Sequence, residues 1–226
     1  MTRRADFRFN RFVLGLFAVA LLTTSAVLFA ISYVGSLSIA DQELKRFARK
    51  EATLARLVFD QTFSRLDTYL RALSENSALR RAVWSRDERL VLQILSDAAR
   101  QPIGAQFELL RIDQPDEPDW VDAGASLYDL DQILTPALRS RMPAGQWHMF
   151  TGGEASGNTA PVLLAALSIP LVGDIDGRVV GQLTGGYVFN DSKYLLDDLA
   201  KALDTESLAL FLDERMISAA AHGIPQ

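Results

Sequence analysis

The feature that most constrains this chain is an uncharged apolar run near its N-terminus, from Phe12 to Ala40. About 20 helical residues cross the ~30 Å hydrocarbon layer of a membrane, whereas a cleaved signal peptide has an apolar region of only about 7–15 residues. The run therefore predicts an uncleaved transmembrane anchor over residues 12–40. A buried core helix is one alternative, and cleavage by a peptidase at the small residues near Gly35 is another.

The charges that flank this run predict its orientation. Four arginines precede it within residues 1–11, and the acidic segment Asp41–Glu43 follows it. Because positively charged flanks stay on the cytoplasmic side of a membrane, residues 1–11 are predicted to be cytoplasmic. Everything after Ala40 is then predicted to lie outside the cytoplasm.

The composition limits the classes of protein that remain. Hydrophobic residues make up 49% of the 226 residues, which is enough for a packed core. The net charge of −5 argues against a general nucleic-acid-binding protein, so no nucleic-acid partner is expected. Cysteine is absent, which excludes disulfides and thiolate metal sites.

Residues 41–73 have the pattern of one long helix, without Gly or Pro. Apolar side chains recur at helical spacing along one stripe, formed by Phe59, Phe63, Leu66, Leu70 and Leu73. We expect this stripe to pack against the rest of the domain. The absence of a helix breaker also favours a helix that continues from the membrane anchor.

A second apolar group lies on the same predicted helix, closer to the membrane: Leu44, Phe47, Leu54 and Leu57. One interpretation is that these side chains pack within their own domain. The other is that they form a parallel homodimer with a second copy of the chain. Both interpretations remain open at the level of sequence.

Beyond the long helix the pattern predicts a mixed α+β domain. The segment Ser85–Glu88 has the form of a capping box before a short helix. The spacing then becomes strand-like and predicts a five-stranded antiparallel sheet, with strands at 107–113, 120–125, 146–150, 161–172 and 178–189. A helix follows over 190–203, capped by Asn190 or Asp191.

The segment Leu210–Ser218 predicts a β-hairpin after this helix. An isolated two-stranded hairpin is marginally stable at best in water, so it needs further structure to pack against. Either it begins a second module, or it packs back on the first domain as an extra edge.

The stretch from Ile169 to Ala220 reads IPLVGDIDGRVVGQLTGGYVFNDSKYLLDDLAKALDTESLALFLDERMISAA. It contains an apolar strand, a turn, a G-x-L-x-G-G-Y strand, a helix and the start of another strand pair. Together with the preceding long helix, this order resembles the extracytoplasmic Cache domains, which are PAS-like sensor modules of bacterial transmembrane receptors. The stretch itself resembles the junction between the two modules of a double Cache domain.

The resemblance implies a PAS-like sensor domain over residues 41–189, with residues 190–226 as a connector helix and hairpin that begin a truncated second module. It implies anchoring in the bacterial inner membrane, a periplasmic main domain, an unknown small-molecule ligand and a role in signal transduction. A cytoplasmic output enzyme would lie outside this sequence. The alternative function is an inner-membrane-anchored structural or assembly protein with a periplasmic partner-binding domain.

No catalytic constellation is evident. The two histidines, His148 and His222, are far apart and lack metal-ligand spacing. Gly153–Gly157 misplaces the serine of a nucleophile elbow by one position, and Asp174–Gly177 lacks the later ligands of a calcium loop. We therefore expect a region that is not an enzyme, with no catalytic residues, no metal and no cofactor.

A ligand pocket needs apolar walls and a few convergent polar groups. Aromatic and polar residues of the predicted sheet, with three arginines that could pair with a carboxylate, make the candidate ligand-binding set: Trp120, Tyr128, Trp147, His148, Tyr187, Asn190, Arg111, Arg139 and Arg141. Aromatic residues in strands are more often core residues, and arginines more often solvated. Gly145 stands where amino-acid-binding Cache domains carry an arginine, which argues against an amino-acid ligand.

Overall fold

The computed structural model describes most of the chain after the predicted anchor. The described residues are Ser25, Phe29, 42–114, 119–121, 128, 130–139, 141–154, 161–173, 177–190 and 192–221. Among them, no helix has both the length and the apolar character that crossing a membrane requires. The predicted cytoplasmic segment 1–11 and anchor 12–40 lie outside the described residues, apart from those first two positions.

The chain divides into two compact units, residues 1–53 and residues 54–226. Residues 42–74 are helical throughout and form α1, so the long helix predicted from the apolar stripe is confirmed in the described part of the chain. Its second half, from residue 54, belongs to the larger unit. That unit also contains the sheet and the remaining helices.

Two helices follow α1 directly: α2 (Ser77–Ser85) and α3 (Glu88–Ala99), before a 3₁₀ turn at Gly104–Gln106. The predicted capping box at Ser85 is wrong. Arg86 adopts a left-handed conformation (φ 59°) and ends α2, so Ser85 is still helical. The carboxylate of Asp87 instead caps α3, accepting a hydrogen bond from the amide of Leu90 at 3.1 Å.

The five predicted strands form one antiparallel sheet in the order β2-β1-β5-β4-β3. The strands are β1 (Leu109–Asp113), β2 (Trp120–Val121), β3 (Trp147–Glu154), β4 (Pro161–Val172) and β5 (Val179–Val188). Two short helices, α4 (Leu130–Ile133) and α5 (Pro136–Arg139), connect β2 to β3. The α+β fold of a long helix and a five-stranded sheet is therefore confirmed.

The face of the sheet that contacts α1, here called the first face, holds most of the core. Leu66 and Leu70 of α1 are fully buried there with strand residues such as Leu167, and each buried leucine contributes about 1.5–3 kcal/mol. Gly185 of β5 permits the close approach of the helix. A Cβ atom on Gly185 would lie 2.7 Å from Cε1 of Phe107 and 3.0 Å from Cδ1 of Leu70.

The opposite face, here called the second face, is covered by the segment that carries α4 and α5. Its apolar part combines Leu109 and Leu164 from the sheet with Leu130, Ile133 and Leu134 from that segment. Side chains alternate between the two faces of a strand. Arg111 and Asp113, two and four residues after Leu109, therefore also lie on the second face.

The last described elements are α6 (Lys193–Leu203) and a hairpin of β6 (Ser207–Leu212) and β7 (Arg215–Ala221). Ser192 takes the N-cap position of α6, so the predicted cap at Asn190 is wrong, and Asp191 lies outside the described residues. The hairpin forms a two-stranded sheet of its own. It packs back on the first-face core through Ile217, and its assignment to the start of a second module stays a prediction.

Candidate functional site

Three of the predicted ligand-binding residues belong to the packed core on the first face. The ring of Phe63 on α1 contacts the rings of Trp147 and Tyr187, with centroids 4.9 and 5.8 Å apart. Trp120 is buried in the same core, beneath α3. These three side chains therefore join the sheet to the helices, and a ligand-binding role for them stays a prediction.

The hydroxyl of Tyr187 shares a short hydrogen bond with the hydroxyl of Ser192 at the start of α6. Burial raises the pKa of the Tyr187 phenol, because the phenolate would lose its hydration. Tyr187 thus stays a neutral phenol over the physiological range. It ties β5 to α6 while its ring fills the core.

Two of the predicted arginines meet two aspartates in an ion cluster on the second face. Among the described residues its members are Arg111, Asp113, Asp119 and Arg139. Nε of Arg111 lies 2.9 Å from Oδ1 of Asp113, and Nε of Arg139 lies 3.2 Å from the same oxygen. Nη2 of Arg139 lies 3.0 Å from Oδ2 of Asp119, and Nη2 of Arg111 contacts that oxygen too. Each carboxylate therefore bridges both guanidinium groups.

The ion cluster is largely withdrawn from water. The exposed fractions of the side chains are 7% for Arg111, 10% for Arg139, 19% for Asp113 and 25% for Asp119. Nη1 of Arg139 donates to the carbonyl of Leu134 at 3.2 Å. Such pairing is what buried charges require, since an unpaired one would be strongly destabilising.

Hydroxyl groups extend the ion cluster across the sheet. Oγ1 of Thr184 donates to Oδ2 of Asp113 at 3.2 Å and lies 3.3 Å from Oγ of Ser168. Both hydroxyl residues are buried on the second face. The second face therefore has an apolar part beneath α4 and a polar part around the ion cluster.

The remaining predicted ligand-binding residues lie in different places. His148 pairs with Ala166 across β3 and β4 and so lies on the second face, where its buried Nε2 has no hydrogen-bond partner among the described residues. The hydroxyl of Tyr128 donates to the carbonyl of Asn190 at 3.3 Å. Arg141 is exposed, two residues beyond the ion cluster.

Asn190 has a structural role instead of the predicted cap. Its amide Oδ1 accepts from the backbone amide of Leu163 at 2.9 Å, and its Nδ2 donates to the carbonyl of Pro161 at 3.0 Å. The side chain thereby replaces a backbone partner beside the start of β4.

The fold brings Arg111 and Arg139 together, and it separates them from the aromatic residues of the first face.

Sequence reasoning missed the acidic half of the ion cluster and a partly buried carboxylate. The i, i+2 spacing of Arg111 and Asp113 on one strand could have indicated that both project from the same face.

Glu108 lines a cleft of about 380 Å³ together with Tyr187 and Lys193. Burial raises the pKa of Glu108 above its usual value. In the described ranges, no group of three or more His, Asp or Glu side chains could hold a metal ion.

The residues predicted to form a homodimer lie on α1. Leu44, Phe47 and Leu57 are exposed, and Leu54 is half-buried. The homodimer along these residues stays a prediction.

A family model described as "LuxQ, periplasmic" matches residues 36–226. The chain is 27% identical over 183 residues to the autoinducer 2 sensor kinase/phosphatase LuxQ of Vibrio cholerae serotype O1, an alignment that covers 80% of this chain. It covers only 21% of that relative, so the chain spans about a fifth of its length. The match confirms the predicted resemblance to a periplasmic sensor domain of a bacterial receptor.

The fold also matches solved structures. The crystal structure of the periplasmic domain of V. cholerae LuxQ superposes with a TM-score of 0.66 at 24% identity, covering 75% of this chain and 77% of that one. A selenomethionine structure of the same domain gives the same TM-score and identity, with 77% and 78% covered. These likenesses establish the fold of a periplasmic sensor domain for the described residues.

Proposed function

We propose a function for this chain from one premise: the chain belongs to the family of LuxQ periplasmic domains. Its main domain is periplasmic and serves as the ligand-sensing module of a signal-transduction receptor. The chain spans 21% of the kinase/phosphatase relative. A kinase or phosphatase output on a longer receptor is therefore part of the proposal.

The observation that carries the sensing mechanism is the shared core of α1 and the sheet. Phe63 lies among Trp147, Tyr187 and Phe189, with ring centroids 4.9–5.9 Å apart. Close-packed interfaces of this kind shift between discrete arrangements and do not deform freely. A ligand that binds one arrangement of the sheet more tightly therefore shifts the position of α1 toward that arrangement.

The proposed topology is a single span over residues 12–40, with the N-terminus in the cytoplasm. The support is the arginine cluster that precedes the uncharged run. In this arrangement α1 leaves the membrane and enters the periplasmic domain. Alkaline phosphatase fused after Gln106 should be active. This orientation would be contradicted if that fusion is inactive while a second fusion, which carries a cytoplasmic reporter at the same position, is active.

The proposed assembly is a parallel homodimer along α1. Leu44, Phe47 and Leu57 supply exposed apolar surface, and Leu54 lies between them at helical spacing. Tethering to a membrane would confine two copies to a plane and so raise their effective concentration. A second copy is therefore the occupant that we propose for this surface.

The ligand class that we propose is a small molecule, since the relative is named a sensor of autoinducer 2. Sensing can be tested in a chimera that carries residues 36–226 in place of the matched part of V. cholerae LuxQ. We expect its phosphorylation to respond to autoinducer 2 or to the small-molecule fraction of culture fluid. An expressed and folded chimera with constant phosphorylation under all these additions would favour the structural or assembly alternative.

A further inference from the structure

We propose that the ion cluster is a carboxylate-binding site that Asp119 occupies as an internal stand-in for the ligand. Its ligand class is a small molecule that carries a carboxylate group, held by Arg111 and Arg139. The inference rests on the proposed sensing function and specifies its site. When the ligand binds, its carboxylate replaces that of Asp119 between the two guanidinium groups.

The geometry of the guanidinium groups fits this exchange. Arg111 presents Nε and Nη2 to the two carboxylates, and Arg139 presents the same pair of nitrogens. This edge of a guanidinium matches the two oxygens of a carboxylate. Asp119 places one oxygen where donors of both arginines converge, which is how an external carboxylate would be recognised.

The four members of the ion cluster are held unequally. Arg111 and Asp113 lie on β1, which pairs with β2 on one side and β5 on the other. Asp119 directly precedes β2, which is only two residues long, and Arg139 ends the four-residue helix α5. The sheet therefore fixes one arginine and one aspartate, whereas short elements carry Asp119 and Arg139.

Exposure identifies the member that can leave. Asp119 has the most exposed side chain of the four, and Arg111 has the least exposed. Asp119 is therefore the carboxylate of the ion cluster that solvent reaches most. Exchange of one carboxylate for another keeps the charge of the ion cluster constant, so no unpaired arginine is left buried.

Asp119 also makes this site responsive to its ligand. In the free domain Asp119 fills the site. The apparent affinity for the ligand is therefore the intrinsic affinity multiplied by the fraction of molecules in which the site is open. Asp119 is bonded directly to Trp120 of β2, and β2 packs against α3 on the first face. The exchange thereby links a site on the second face to the helices on the first face.

The test is chemical rescue with acetate as the probe, in the full chain. We expect Asp119→Ala to lower the melting temperature in chloride, and acetate at the same ionic strength to restore more than half of that loss. Titration calorimetry should show acetate binding to Asp119→Ala roughly tenfold or more tightly than to the wild type. Adding Arg139→Gln to Asp119→Ala should abolish both effects.

Asp198→Ala is the matched control. Asp198 forms an ion pair with Arg65 at the same 3.0 Å separation, but both side chains are well exposed. Loss of this carboxylate leaves a solvated arginine, so acetate and chloride should give equal melting temperatures. Asp119→Asn, which keeps the side-chain volume, provides the same acetate comparison if Asp119→Ala does not fold.

Equal melting of the Asp119 variants in acetate and chloride would overturn the proposal and make the ion cluster a closed structural feature. Equal acetate affinity in wild type and Asp119→Ala would also overturn it. Failure here is distinguishable from failure of the proposed function. If the chimera responds to small molecules but acetate does not rescue the Asp119 variants, the sensing function stands and this site is rejected. If acetate rescues the variants but the chimera does not respond, the carboxylate site stands and the sensing function is rejected.

Discussion

The ring of Phe63 on α1 meets the indole of Trp147 on β3 edge-on, with ring centroids 4.9 Å apart and ring planes at 73°. Trp147 lies on an edge strand of the sheet, so this contact joins the helix to the part of the sheet farthest from β2. Edge-to-face aromatic pairs contribute about 0.5–1.5 kcal/mol beyond the area that they bury. The pair therefore gives the helix and the sheet a directional contact as well as a shared core.

The core between α1 and the sheet should not tolerate a charge. Leu66→Asp places a carboxylate where the leucine is fully buried, and we expect a loss of at least about 3 kcal/mol in the free energy of unfolding. Gln61→Asp, on the exposed side of the same helix, should change it by less than about 0.5 kcal/mol. Denaturant titration of both variants checks this, and equal stability would place Leu66 outside the core.

The close approach of α1 to β5 should require glycine at position 185. Gly185→Ala brings a methyl group against Phe107 and Leu70, and we expect a cost of about 1–3 kcal/mol. Leu70→Ala makes room, so the double variant should be more stable than the sum of the single effects predicts. A double-mutant cycle by thermal unfolding measures this coupling, and strictly additive effects would argue against the contact.

The stability should depend on pH through Glu108. Its pKa is raised by burial, so the folded chain holds this proton more tightly than the unfolded chain does. The resulting stability is fully present below the unfolded pKa of about 4.3 and is lost as the pH rises through the folded pKa. Glu108→Gln should therefore stabilise the protein at pH 7 relative to wild type, with a smaller difference near pH 4.

The pH profile of Glu108→Gln has a matched control in Glu88→Gln, because Glu88 is exposed at the start of α3. Urea titrations at several pH values give the comparison. A difference between Glu108→Gln and wild type that stays constant from pH 4 to pH 7 would contradict the assignment.

The homodimer proposed along α1 should be detectable by cross-linking, since the chain has no native cysteine. Leu54→Cys should form a disulfide between copies in membranes, because Leu54 lies at the centre of the proposed contact. Arg56→Cys, two residues away and on the opposite side of the helix, should not. Equal cross-linking at both positions, or none at either, would remove the dimer.

Local patterns predicted the elements of this fold well. The apolar stripe of α1 and the alternation of the strands depend on burial at a fixed period, and burial is what the structure confirms for Leu66 and Leu70. The caps were harder to predict because several polar residues compete for each helix start. Asp87 caps α3 in place of Ser85 because a single left-handed residue, Arg86, separates the two helices.

The candidate site was less predictable than the fold. The arginines were singled out for their charge, but sequence could not indicate that their carboxylate partners belong to the same chain. Asp119 and Arg139 are twenty positions apart, and the fold alone brings them to 3.0 Å. Trp147 and His148 are neighbours in sequence, yet strand alternation places them on opposite faces.

The most direct test of the proposed sensor is the phosphorylation of the LuxQ chimera with Phe63→Leu in α1. This change keeps an apolar side chain but removes the ring contacts to the sheet. We predict a shifted basal phosphorylation and a weaker response to small molecules, whereas Thr68→Ala on the exposed side of the same helix leaves both unchanged. A Phe63→Leu chimera that folds and matches its parent in both measurements would contradict transmission of the signal through the contact between α1 and the sheet.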